Sequence, residues 1–258
     1  MYGVEILSKD GVSYFYSLLI IGFSLLLLWF NVRYSKHISH PLIDYSVMKI
    51  NSYKVTILTG SVSRMIIGVF PYLVPLMFQE GFGLNPFESG LLFLSTMVGN
   101  LSMKSLTVWI MHRFRFRTIL IVNGCFSALF TFFTALLMPT TPVYVIVLVL
   151  FTAGLFRSLQ FSSLTTLAFT DTPASQTTAA NTLYSTIQQM STGMGIAMGA
   201  VVLRFSNIIN HGIAGHYTIP DFRLAFIFVT VLGFVHLYGY TKLSKDAGSV
   251  VMLKKKMF

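Results

Sequence analysis

Basic and amide side chains stand inside apolar stretches of this chain, and they are the groups with chemistry to do. Arg64 sits within "TGSVSRMIIGVFPYLVPLMFQ", residues 59–79, and is followed by Pro71 and Pro75. A basic group at the centre of a bilayer costs about 2.5–3.5 kcal/mol on insertion scales, so it turns to a bundle interior or a wet cavity. Along a helix, Arg64 is ~15 Å from Lys54, too deep to reach the surface with ease. Two roles fit it. One is a cavity-lining residue that pairs with a carboxylate or an anionic substrate group; the other is a structural arginine satisfied by carbonyls between helices. Each proline removes a backbone donor. Broken helices border the cavity in transporters, and a passive kink is the other reading.

Three further clusters follow the same logic. Thr96, Asn100 and Lys104 share one helical face at i, i+4 and i+8 and draw a polar stripe through an apolar run. Asn100 and Lys104 are therefore candidate lining residues, with snorkelling to the surface as the alternative for Lys104. Arg157 and Gln160 are one turn apart, near the expected cytoplasmic end of their helix. Gln160 is a candidate lining residue, and Arg157 a candidate for gating or a cytoplasmic contact. Gln188 and Gln189 offer at least one amide to the interior. Gln188, Ser191, Gly195 and Gly199 form one stripe whose small members suit close helix packing. Met190, Met194 and Met198 form a flexible stripe suited to packing, lipid contact or varied apolar ligands.

Catalysis finds little to work with. The eight Asp and Glu residues all lie outside the deep parts of the apolar runs. His37 and His40 have no neighbouring Cys or acid arranged as a metal site, and His211 and His216 fall in a loop. No phosphate loop and no nucleophile with a placed base is present. The expectation is therefore neither an enzyme nor a metal or cofactor protein. Cys125, alone, cannot form an internal disulfide and reads as a packing residue. Proton-coupled carriers need a titrating group at depth, and this chain supplies basic and amide groups there instead.

The elements that must hold these residues follow from composition. The chain is 54% hydrophobic and 10% charged over 258 residues, with a mean hydropathy of +0.73; soluble domains carry about a quarter charged residues. That describes an all-α polytopic membrane protein. Seven runs reach the ~20 residues needed to cross the hydrocarbon: about 13–32, 55–79, 89–111, 118–138, 143–163, 179–203 and 222–242. The net charge of +10 forms no continuous basic patch with exposed aromatics, which argues against nucleic acid. It collects in alternate loops instead. Arg33, Lys36, Lys49, Lys54, Arg113, Arg115, Arg117 and the tail lysines from Lys242 to Lys256 lie on one side; Lys9, Arg204 and Arg223 lie on the other. The basic excess marks the cytoplasm, so the N-terminus is expected outside and the C-terminus inside. Arg113 and Arg117 become candidate gating contacts. Residues 1–32 read as an outer terminus with an isolated span, 33–54 as a cytoplasmic linker, 55–242 as a six-helix bundle and 243–258 as a basic tail.

Three stretches carry a resemblance. They are "RMIIGVFPYLVPLMFQEGFGLNPFESGLL", "GNLSMKSLTVWIMHRFRFRTILIVNG" and, most specifically, "LFRSLQFSSLTTLAFTDTPASQTTAANTLYSTIQQMSTGMGIAMG". They resemble the C-terminal bundle of the fourteen-span drug:proton antiporters of the major facilitator superfamily, permeases of the MdtD and EmrB kind, over about residues 40–205. The resemblance implies two inverted three-helix repeats. It puts Arg64, Pro71, Pro75, Asn100, Lys104, Gln160, Gln188 and Gln189 on motif positions, with Arg64 and Arg157 in the first helix of each triplet. The family usually has a glycine in its basic cytoplasmic turn where this chain has Arg115. The family's N-terminal bundle, with its acidic coupling residues and half of the cavity, lies outside the resemblance.

The expected function is the C-terminal half of a proton-coupled multidrug-type efflux carrier in a bacterial inner membrane. Its expected partners are the bilayer, an amphipathic small molecule and a separate N-terminal half, without which it does not transport. A non-transporting membrane scaffold and a homodimeric half-size carrier are the alternatives.

Overall fold

The computed structural model describes residues 45–211, 216–244 and 246–248, together with 22–24, 26, 27, 30 and 33. The first expected span, most of the linker and the tail fall outside the described residues, apart from those few positions. Among the described residues every regular element is helical, and six helices are long and apolar enough to cross a membrane. We label them α1 (Asn51–Leu76), α2 (Pro86–Arg113), α3 (Phe116–Ala135), α4 (Val143–Thr170), α5 (Thr177–His211) and α6 (Ile219–Val235, continued by a turn at Leu237–Tyr240).

Local chemistry sets several of the ends. "NPFE" starts α2: the Asn85 side chain accepts from the Glu88 N–H at 2.9 Å, Glu88 accepts from the Asn85 N–H at 3.3 Å, and Pro86 takes the first helical position. "TIPD" starts α6 in the same way, with buried Asp221 accepting from the N–H and hydroxyl of Thr218, each at 2.9 Å, and from the Asn207 amide. Two helices outrun the expected spans. The fifth run was expected to end near 163, but α4 continues to Thr170. The sixth was expected to span 179–203, but α5 has 35 residues. Threonines in these polar ends satisfy their hydroxyls within the helix by bonding back one turn, as Thr165 does to the Phe161 carbonyl and Thr170 to that of Thr166.

One expectation about α1 is corrected. Pro71 and Pro75 do not break α1, which runs on to Leu76. Helical bonding resumes past Pro75, with the Met77 N–H donating to the Leu73 and Val74 carbonyls. A widened turn, Met77–Gly81, follows, and Ser89 of α2 donates to the Pro75 carbonyl at 2.9 Å. The α2–α3 turn does without the family's glycine because Phe114 (φ −120°) and Arg115 (φ −69°) are both extended, and no left-handed residue is required.

The helices form a row, α5–α1–α4–α2, backed by α6 behind α5 and by α3 behind α4, with α3 and α6 in contact. The two most extensive pairings are α1 with α5 and α4 with α2. Exchanging the triplets α1–α3 and α4–α6 converts one pairing into the other. Both are made the same way. A Cβ on Gly68 would collide with the Thr192 carbonyl, and one on Gly195 with the Met65 carbonyl. In the other pair, Gly99 meets the Phe151 carbonyl and Gly154 that of Thr96. Each pair thus crosses backbone on backbone through two facing glycines, the small-residue contact on which membrane helices rely. Gly199 lies in the same α1–α5 interface, against Val69 and Leu73. Apolar clusters fill both ends of the bundle: Phe70, Phe78, Phe222 and Phe226 at one, Phe116, Leu120, Leu167 and Tyr240 at the other.

Alanine at Gly99 should therefore lower the thermal unfolding midpoint in detergent by an amount equivalent to about 1–3 kcal/mol of overpacking. Alanine at Gly90, where nothing lies within 4 Å, should leave it unchanged. Equal midpoints for the two variants would refute the packing assignment.

Candidate functional site

The polar residues of the spans gather in a layer between the two apolar clusters. α1 supplies two neighbours that point to different helices. Ser63 faces α6, where its hydroxyl lies 2.7 Å from His236 Nε2 and 2.8 Å from the Tyr240 hydroxyl. Arg64, 1% exposed, faces α5 and α4. Its Nη1 donates to the Thr56 carbonyl at 3.3 Å, and its guanidinium lies 4.6 Å from the centre of the Tyr184 ring, a cation–π contact. Gly60 leaves room for it, since a Cβ there would stand 3.2 Å from Nη1. Nε and Nη2 of Arg64 have no hydrogen-bond partner among the described residues.

The Ser63 contacts belong to a longer chain. Asn123 on α3 donates to Gln160 Oε1 at 2.9 Å and to the Phe156 carbonyl at 2.8 Å. Gln160 on α4 donates to the Tyr240 hydroxyl at 3.5 Å. His236 Nδ1 lies 3.3 Å from the Leu232 carbonyl. A carbonyl only accepts, so Nδ1 carries a proton, and with the ring neutral Nε2 accepts from Ser63. All donors then run one way: Asn123 to Gln160, to Tyr240, to Ser63, to His236. A cavity of about 20 Å³ beside this chain is bordered by Ser63, Gly124, Ser127, Gln160 and His236, enough for one water.

Arg157 stands in the middle of α4, not near its end, because the helix extends past the expected boundary. It is 4% exposed. Its Nη2 donates to the Thr131 hydroxyl of α3 at 3.3 Å, and the guanidinium lies against the face of Phe70. Its Nε and Nη1 have no partner among the described residues. Arg64 and Arg157 both fall on the same side of their helices' crossing glycines, Gly68 and Gly154. Because α1 and α4 run in opposite directions, the pair does not obey the repeat symmetry that the glycines obey.

The other expected lining residues are elsewhere. Thr96 is buried against α4, and Asn100 is half-buried, its carbonyl accepting from Ser158 at 2.8 Å. Lys104 is exposed, and α2 continues to Arg113, which leaves Lys104 ~14 Å from the helix end. Gln188 is half-buried and Gln189 exposed. Exposed Asn181, Thr182, Ser185 and Thr186 continue a polar stripe along the first half of α5. Arg113 is exposed and Arg117 half-buried in or beside the α2–α3 turn. The structure thus brings Gln160 into one layer with Arg64 and Arg157, and leaves Lys104, Gln188 and Gln189 on the outside of the row. Ser63, Asn123, His236 and Tyr240 were missed. Asn123 and His236 are polar groups in apolar runs, "ILIVNGC" and "GFVHLYGY", a signal that was available; Ser63 stands beside Arg64 in "SVSRM" and carries none of its own.

The sequence profile of the Major Facilitator Superfamily matches residues 10–196. The chain belongs to the major facilitator superfamily. It is an integral membrane protein similar to curated proteins named "Putative multidrug resistance protein MdtD". The one from Pectobacterium carotovorum subsp. carotovorum (strain PC1) is 29% identical over 189 residues, 73% of this chain and 40% of that protein. The one from Serratia proteamaculans (strain 568) is 28% identical over 165 residues, 64% and 35% respectively. The one from Escherichia coli (strain SE11) is 27% identical over 205 residues, 78% and 41%. The chain thus spans about 40% of the length of the curated relatives it matches.

A buried charge with two unused donors is a poor structural element, and an apolar residue of similar volume often replaces one without loss. Arg64→Met should leave the unfolding midpoint unchanged or raise it. Gln160→Leu should lower it, because it strips partners from buried Asn123 and Tyr240 at about 1–3 kcal/mol. A large loss in Arg64→Met would mean that the guanidinium holds the bundle together.

Proposed function

We propose that this chain is the C-terminal half of a proton-coupled, multidrug-type efflux carrier that works by alternating access. Its six described helices are the second bundle, spanning about residues 55–242. Residues 1–32 supply an isolated span, 33–54 a cytoplasmic linker and 243–258 a basic tail. The chain sits in a bacterial inner membrane with its N-terminus outside and its C-terminus in the cytoplasm. Arg33, Lys49, Lys54, Arg113, Arg115, Arg117 and Lys242 favour that orientation.

The observation that carries the reading is the uncovered polar surface on the helices at the two ends of the row. Gln189 lies near the middle of α5 and Lys104 well inside α2, and both are exposed. An amide stripe and a lysine at such depth are costly against lipid; they suit a second protein surface or an aqueous cleft. A second bundle against this row would cover both and enclose a cavity between the halves, where an amphipathic substrate binds. α2 and α5, the least buried spans of the six, are the helices with the most surface to give.

The described acids favour coupling from outside this chain. Asp221 is the buried one, and hydrogen bonds from Thr218, Asn207 and Asn210 commit it to the junction of α5 and α6. The titrating carboxylate of a proton cycle then comes from the other half. Arg64, in the first helix of the bundle, would answer a carboxylate or an anionic substrate group; its two donors without a partner among the described residues support that role.

Proteoliposomes test this. The chain alone should give no proton-driven efflux of an amphipathic dye. Together with the N-terminal half of a homologous MdtD protein it should, at a rate that Arg64→Ala lowers at least tenfold. Efflux by the chain alone, abolished by Arg64→Ala, would overturn the half-carrier reading. No efflux from any combination, with a stable complex to an unrelated membrane protein, would replace transport with a scaffold role.

A further inference from the structure

The repeat symmetry also fails between α2 and α3, and that failure leaves a groove. In the second triplet α5 and α6 pack along each other, whereas α2 and α3 scarcely touch beyond their connecting turn. Between them lies a groove of about 500 Å³, floored by Phe156 and Leu159 of α4 and walled by Trp109, Val122 and Phe126. Its size is that of a small-molecule site, and its lining is almost wholly apolar. Asn123, at the floor, turns its amide nitrogen inward to Phe156 and Gln160.

The open end of the groove is basic. A second hollow of about 270 Å³ is lined by Arg115, Arg117, Thr118, Ile121 and Val122. Thr118 and Val122 border both, so the apolar groove and the basic hollow adjoin across that pair of residues on α3. Neither arginine pairs with a carboxylate among the described residues. The groove opens on the flank of the bundle, between a helix at the end of the row and one behind it. Trp109 lies one turn from the end of α2 and beside the basic turn, the pairing of aromatic and basic side chains that favours a head-group boundary.

We propose that this groove binds an anionic phospholipid of the leaflet that meets the α2–α3 turn. Arg115 and Arg117 hold the phosphate, for which the planar guanidinium is suited. One acyl chain lies between α2 and α3 against Trp109 and Phe126. Charge selects the occupant: the two arginines repel cationic amphiphiles and attract anionic head groups, as basic pockets between membrane helices do. The occupant substitutes for the helix contact that symmetry would have supplied, and it touches α4 at Phe156, next to Arg157. The inference does not rest on the transport reading.

The test uses fluorescence of Trp109 in the full chain carrying Trp29→Phe, reconstituted in phosphatidylcholine vesicles. At equal mole fraction, brominated phosphatidylglycerol should quench Trp109 at least twofold more than brominated phosphatidylcholine. Unbrominated phosphatidylglycerol should compete, and inorganic phosphate should not. Arg115→Gln with Arg117→Gln should remove the excess, and Val122→Phe, which fills the groove and keeps both charges, should reduce it. Lys54→Gln with Lys242→Gln, the loss of two charges elsewhere, should retain it. Equal quenching by the two lipids, competition by free phosphate, or an equal loss in the Lys54→Gln, Lys242→Gln variant would each overturn the proposal. The lipid comparison and the competition need no groove variant, so misfolding of a variant does not rescue the proposal.

Discussion

Backbone contact at four glycines governs the arrangement of this bundle. Helices in lipid gain little from burying apolar surface against one another, since the acyl chains are equally apolar; they gain from close approach. Gly68 and Gly195 bring α1 onto α5, and Gly99 and Gly154 bring α2 onto α4, each with a facing carbonyl where a Cβ would stand. These crossings fix the row α5–α1–α4–α2. They also fix what the row leaves over: a buried polar layer beside the crossings, and polar outer surfaces on the two end helices.

The buried layer explains how an apolar bundle tolerates its arginines. The guanidinium groups rest on aromatic faces, Tyr184 for Arg64 and Phe70 for Arg157, and each makes one long hydrogen bond. The neighbouring chain from Asn123 to His236 is better satisfied, with donors running in one direction across α3, α4, α1 and the end of α6. The two sets have different characters. The relay ties four helices together and reads as architecture. The arginines keep donors in reserve and read as chemistry.

Hydropathy displayed the six described helices because about 20 apolar residues in a row have few other uses. It misplaced the ends of α4 and α5 because their threonines satisfy themselves within the helix, so polarity there does not signal a loop. Arg157 consequently moved from an expected helix end to mid-bundle. Gly195 and Gly199 stood out in a regular stripe, whereas Gly68, Gly99 and Gly154 did not, none having another glycine three or four residues away. Periodicity put Thr96, Asn100 and Lys104 on one face but could not say that α4 covers the first and leaves the last exposed. Ser63 is far from His236 and Tyr240 in sequence, and nothing local brings it to that pair, which stand one turn apart. Pro71 and Pro75 suggested a break that the surrounding helix absorbs. The groove between α2 and α3 depends on a departure from repeat symmetry, which no single segment encodes.

The central claim is that the polar outer surface of the row meets water or a second bundle, and not acyl chains. Cysteine labelling tests it most directly, in a Cys125→Ser background with the chain reconstituted alone. Gln189→Cys should react with a membrane-impermeant maleimide at least tenfold faster than Val231→Cys, which is exposed on the apolar face of α6. Adding the N-terminal half of a homologous carrier should then protect it. Equal inertness at the two positions would place the α5 stripe in lipid and contradict the account.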